Sequence, residues 1–149
     1  MNRFSRIIAT GFYTGYSPFA PGTAGSGLAL IVFWIIPGMR GIPLLVVIGA
    51  AFFMGVWAAG RVEETDGHDA SIINIDEIVG MWLALLFLPA GLSWAWTAGA
   101  FVLFRVFDVL KPFPIGKSQE LPRGWGVMMD DVLAGLAANG SLRMVLWIF

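Results

Sequence analysis

Eight of the chain's ten carboxylates lie in three short segments beside apolar stretches, and their company suggests metal-assisted chemistry. The segment ETDGHDASIINIDEIVG, from Glu64 to Gly80, places Asp66, His68, Asp69, Asp76 and Glu77 ahead of an apolar run. Carboxylates there are costly to desolvate and need a partner, although the dipole of a helix starting at Asp76 would favour them. Taken alone, the segment also reads as a solvated helix start with acidic caps. The second segment, FRVFDVLKPFPI, spaces Arg105, Asp108 and Lys111 three apart, on one face of a helix that Pro112 and Pro114 would end. By itself it is a salt-bridged helix end. The third, GWGVMMDDVLAGLAA, pairs Asp130 with Asp131 and has no basic residue within a turn. Capping does not account for the pair, and a cation is the simplest partner. Ala134 and Gly135, one turn on, would let another helix come close. A fourth stretch, SPFAPGTAGSG, reads as a glycine-rich loop leading into a helix. Thr23 and the backbone near Gly25 could meet a phosphate there, or Thr23 or Ser26 could serve as an N-cap. The Lys-Ser/Thr ending of a P-loop is absent.

Hard oxygen ligands select magnesium or manganese. Without cysteine, and with His68 the lone histidine, a zinc site, a disulfide and a cysteine nucleophile all drop out. A net charge of −1 gives no field to attract nucleic acid.

The elements that hold these residues must suit a membrane. Apolar residues are 58% of the chain and charged residues 13%, with a mean hydropathy of +0.79, against about 25% charged in soluble domains. Arg3 and Arg6 before an apolar stretch imitate a signal peptide, but Gly11, Gly15, Pro18 and Pro21 argue against cleavage. The uncharged gap Gly41–Gly60 predicts one membrane helix. The gap 78–104 predicts a long one, or two short ones hinged near Pro89, Ala90 and Gly91. Ser26–Gly38 is a partial span and Val132–Phe149 a final one, with Arg143 reaching toward the interface. Trp94, Trp96 and Trp147 suit an interfacial belt or burial. The expectation is a single domain, 1–149, an all-α multi-helix integral membrane bundle of four to five membrane helices. Positive-inside placement puts residues 11–25, 61–77 and 105–131 together on the cytoplasmic face. An acidic, magnesium-binding site at headgroup level points to a phospholipid substrate.

The segments FAPGTAGS, HDASIINIDEIVGMW, FRVFDVLKPFPI and GVMMDDVLAG resemble, in this order, the phosphatidylglycerophosphatase A family. The resemblance implies an all-helical enzyme of the bacterial inner membrane that hydrolyses phosphatidylglycerophosphate to phosphatidylglycerol with magnesium. It maps acidic motif positions onto Asp69, Asp76, Glu77, Asp108, Asp130 and Asp131. The expected ligands are Asp76, Glu77, Asp108, Asp130 and Asp131. Asp69, His68 and Glu77 are expected in catalysis, with Asp69 as base and His68 as acid. Thr23, Gly25, Arg105 and Lys111 are expected to meet the phosphate. A homo-oligomer stays open, as does a covalent aspartyl-phosphate. The spacing of a CDP-alcohol phosphotransferase is absent, and a single histidine excludes the lipid phosphatases that need two. The rival outside enzymology is a small cation transporter, which would place its carboxylates nearer the bilayer midplane.

Overall fold

The computed structural model describes residues 3–89, 91 and 93–148. Ala90, in the expected hinge, and Phe149, at the end of the last expected span, lie outside the described residues. The described residues form seven α-helices and no strand: α1 (Arg3–Ala9), α2 (Pro21–Ile35), α3 (Gly41–Asp66), α4 (Ile75–Leu85), α5 (Trp94–Leu110), α6 (Ile115–Ser118) and α7 (Gly124–Ile148).

The all-α expectation holds, and the gap 78–104 divides into α4 and α5, as its Pro-Gly hinge suggested. Of the four or five expected membrane helices, α3 alone among the described residues is long and apolar enough to cross a bilayer. The reason is length. At 11 and 17 residues, α4 and α5 reach about 16 and 25 Å, against a hydrocarbon core of about 30 Å. The 25 residues of α7 would reach, but Asp130, Asp131, Asn139 and Arg143 break its apolar character. The span expected to end at Gly60 runs on as helix through Arg61–Asp66, whose Arg and Glu residues favour helix. Gly67, at φ 95°, then ends it and donates its N–H to Glu63 O.

The architecture is organised around α4. Every residue of α4 is buried except Asp76, which is half-buried, and the helix packs against α7, α2, α3 and α5. Small residues set how closely these helices approach. A Cβ on Gly135 of α7 would run into the Gly80 carbonyl of α4, and one on Gly80 would lie 2.7 Å from Asp131 O. The α4–α7 contact is therefore backbone against backbone where the acidic residues sit.

At its other end α4 stops without a capping glycine, and α7 supplies the donors. Asn139 Nδ2 lies within 3.2 Å of the carbonyls of Leu83, Ala84 and Leu86. Arg143 Nη2 donates to Leu86 O at 3.0 Å and Phe87 O at 2.8 Å. The last carbonyls of a helix have no intrahelical donor and require such partners. Arg143 thus serves the end of α4, where the sequence had suggested only a reach toward the interface.

The outer surface is strongly apolar. Ile31 and Ile35 of α2, Ile42, Val46 and Phe53 of α3, and Val102, Val106 and Val109 of α5 are all exposed. Spacings of three, four and seven residues place each set along one side of its helix.

Candidate active site

The acidic residues converge as the sequence suggested. Asp76 and Glu77 open α4, Arg105 and Asp108 lie in the last turns of α5, and Lys111 follows as its left-handed C-cap. Asp130 and Asp131 sit in the second turn of α7. Glu77, Asp108 and Asp131 are buried, and one carboxylate oxygen from each lies within 4.8 Å of the others.

Cations and a hydroxyl thread between them. Arg105 Nη1 pairs with Glu77 Oε1 and, at 2.9 Å, with Asp108 Oδ2. Ser26 donates its hydroxyl to Glu77 Oε2 at 2.8 Å. Lys111 Nζ lies 2.5 Å from Asp130 Oδ2, which also accepts from Gln119 Nε2 at 2.8 Å. Asp130 therefore has the basic partner that its sequence surroundings lacked, supplied from α5. Asp131 does not: its Oδ2 is buried with no hydrogen-bond partner.

Five carboxylates (Asp76, Glu77, Asp108, Asp130, Asp131) face two cations, Arg105 and Lys111, an excess of three negative charges. Burial, followed by the repulsion of Glu77 and the neighbouring carboxylates, pushes the Asp76 and Asp131 carboxyls well above their ordinary value. Burial opposes the charge on Lys111, but its hydrogen bond to Asp130 outweighs this and holds the amine above its usual value. Such a centre must take up protons or a cation. The donors present, all hard oxygens with one unpartnered, fit a divalent ion such as magnesium, which Glu77, Asp108 and Asp131 would hold.

This yields a test on stability. A carboxyl raised in the folded chain works against folding once ionised. Metal-free protein therefore loses stability as pH climbs from the ordinary value of 3.8 through the raised one. In chelator at pH 8, Asp131→Asn should melt a few degrees above wild type, about 1–3 kcal/mol. Magnesium should raise the melting temperature of wild type but not of the variant. A variant that melts lower in chelator and gains as much from magnesium would refute the assignment.

The glycine-rich stretch is not a loop. Helix α2 starts at Pro21 after Ala20 at φ 43°, so neither Thr23 nor Ser26 caps it, and the Ala24 N–H donates to Ala20 O. The Gly25 backbone therefore lies beyond the first turn. The first-turn N–H groups of Gly22 and Thr23 are the ones left for an anion. The start of α2 lies against the ion pair: a Cβ on Gly22 would overlap Glu77 Oε1 and lie 2.8 Å from Arg105 Nη1. Thr23 is exposed, while Gly25 is buried where a Cβ would meet Asn74.

His68 and Asp69 occupy an exposed loop between α3 and α4, apart from the three buried carboxylates. His68 Nδ1 pairs with Glu63 Oε1 at 2.8 Å, and the Asp69 N–H donates to the same oxygen at 3.1 Å. Sequence reasoning passed over Asn74 and Gln119. Asn74 is fully buried and ties α4 to the start of α2, donating to Thr14 Oγ1 at 2.6 Å and Pro21 O at 2.9 Å. The signal for Asn74 was its place directly before the helical run. Gln119, in the short stretch between two of the motifs and part of neither, gave none.

Comparison with known proteins points to phosphatases of phospholipids. A family model described as phosphatidylglycerophosphatase A matches residues 7–146. A Bacteroides thetaiotaomicron protein, provisionally named phosphatidylinositol-3-phosphatase, is 41% identical over 95% of this chain and 93% of its own. Phosphatidylglycerophosphatase A of Escherichia coli is 38% identical over 93% of this chain and 81% of its own. The protein of that name in Haemophilus influenzae is 40% identical over 89% and 82%. No solved structure matches.

Proposed function

The chain belongs to the phosphatidylglycerophosphatase A family of lipid phosphatases, and from that premise we propose that it hydrolyses the terminal phosphate of phosphatidylglycerophosphate with magnesium. The observation that carries this reading is the meeting of Glu77, Asp108 and Asp131, with one oxygen unpartnered, beside Arg105 and Lys111. A magnesium ion held by these carboxylates, with Asp76 and Asp130 beside them, would polarise the phosphate and ease deprotonation of the attacking water. The guanidinium of Arg105 and the ammonium of Lys111 neutralise phosphate oxygens as charge builds on them. The free N–H groups of Gly22 and Thr23, at the start of α2, add to this.

Two proton transfers complete the reaction. With the exposed loop between α3 and α4 closed over the bound phosphate, Asp69 accepts the proton of the attacking water as its oxygen bonds to phosphorus. His68 protonates the alkoxide oxygen released when the phosphorus–oxygen bond to glycerol breaks. Glu63 engages Nδ1 of His68, which leaves Nε2 for that transfer. The apolar outer faces of α2, α3 and α5 suit a multi-pass protein of the bacterial inner membrane, with this centre at the cytoplasmic headgroup level.

The name of the Bacteroides relative brings in a second substrate, a phosphoinositide monoester, so the test carries both. Purified protein in detergent is assayed for phosphate release from phosphatidylglycerophosphate and from phosphatidylinositol 3-phosphate, each with magnesium and with chelator. The expected result is magnesium-dependent release that favours phosphatidylglycerophosphate by roughly tenfold or more in kcat/KM. Preference for the inositide would move the substrate to the second reading. No release from folded protein with any divalent ion would favour cation transport instead.

A further inference from the structure

A separate cavity lies beside the start of α7. With a volume of about 290 Å³, it opens between α3 and α7, lined by Arg61, Glu64, Arg123, Trp57 and Trp125. Its floor is a close backbone contact: a Cβ on Gly124 would lie 2.8 Å from Gly60 N and would overlap Val56 O. Trp125 and Asp130 stand five residues apart, about 140° around the helix. Trp125 therefore leaves α7 in a different direction from Asp130, while Gly124 and Asp131 share a face two turns apart.

The charges in this cavity are of the opposite kind. Arg61 meets Glu64 only at 3.5 Å, with both side chains more than half exposed, a geometry that contributes little. Arg123 makes no side-chain hydrogen bond or ion pair among the described residues. With Glu64 counted, the cavity carries a net charge of +1, and its guanidiniums stand beside tryptophans whose rings are held by others. Trp125 packs edge-on to Phe52 at 5.7 Å, and Trp57 lies 6.3 Å from Phe4. The site also falls where the uncharged stretch of α3 gives way to its charged end, the level at which a crossing helix meets headgroups. Guanidinium groups bind phosphate in a bidentate manner, and tryptophan suits the boundary between acyl chains and water.

We propose that this cavity binds the phosphate of an anionic glycerophospholipid and holds it without hydrolysis, apart from the acidic centre. The site owes nothing to the substrate assignment, and binding can be read without turnover.

The test is native mass spectrometry of the full chain in detergent and chelator. It is titrated with dihexanoyl phosphatidylglycerol, with its phosphatidylcholine counterpart and with inorganic phosphate. The anionic lipid should bind, the zwitterionic lipid and free phosphate much more weakly. Replacing both arginines, Arg61→Gln with Arg123→Gln, should weaken the anionic lipid by roughly tenfold or more. Phosphate release should stay at the wild-type rate. Should the double variant fail to fold, Arg123→Gln alone decides, with an expected loss of severalfold in binding of the anionic lipid. Equal binding by the variant, no preference for the anionic headgroup, or free phosphate binding as well as the lipid would each overturn the proposal.

Discussion

Glu77→Gln should lower magnesium-dependent phosphate release by about a thousandfold, with the fold intact. Glu77 is buried in α4 and meets Arg105, Ser26 and, through the shared centre, Asp108 and Asp131. Glutamine keeps the shape and can still accept from Ser26, so the packing around α4 survives. What it loses is one negative charge from a centre that gathers a divalent ion, and the ionic partner that aims Arg105. Both losses fall on charge developing at the phosphate. Phosphate release and thermal unfolding measured on the same preparation separate chemistry from folding. Activity within tenfold of wild type would remove Glu77 from the centre.

The second large effect is mechanical. Gly135→Val should destabilise the protein by about 1–3 kcal/mol or more and weaken magnesium binding with it. Its Cβ would overlap the Gly80 carbonyl and lie 3.0 Å from Leu83 Cβ. The backbone of α4 cannot yield as a flexible side chain would, so α4 and α7 must part, and Glu77 and Asp131 part with them. Gly140, five residues further along the same helix, has nothing within 4 Å of an added Cβ. There Gly140→Ala should stabilise by about 0.5–1 kcal/mol, as expected in a helix interior. Thermal unfolding of the two variants in one detergent checks the contrast. Equal tolerance at both positions would show that the α4–α7 contact does not set the centre.

The acidic centre was readable because its residue types are expensive in so apolar a chain. Asp76, Glu77, Asp108, Asp130 and Asp131 stand out against apolar stretches, and a helical repeat of three already aligned Arg105, Asp108 and Lys111. The reading failed where tertiary contact overrides local preference. Gly22, Gly25 and Gly27 made the stretch after Pro21 look like a loop. All three are helical: Gly22 lies against Glu77 and Gly25 against Asn74 with no room for a Cβ, while Gly27 has open space beside it. The number of membrane spans is not legible in the sequence for a related reason. A run of apolar residues records burial in protein as readily as burial in lipid, and α4 spends its run on the interior. The Lys111–Asp130 pair spans nineteen positions, beyond any helical repeat.

The grip of α7 on α4 also governs how the centre can open. Midway along α4 the Gly80–Gly135 contact locks the two backbones, and at its C-terminal end Asn139 and Arg143 tie down the final carbonyls. Held at both places, α4 and α7 behave as one rigid strut, and the spacing of Glu77 and Asp131 is built into it. The first turn of α2 and the end of α5 are attached to this strut mainly by side chains: Ser26, Asn74, Arg105 and Lys111. Entry of a headgroup and departure of phosphate are therefore expected to move α2 and α5 rather than to part α4 from α7.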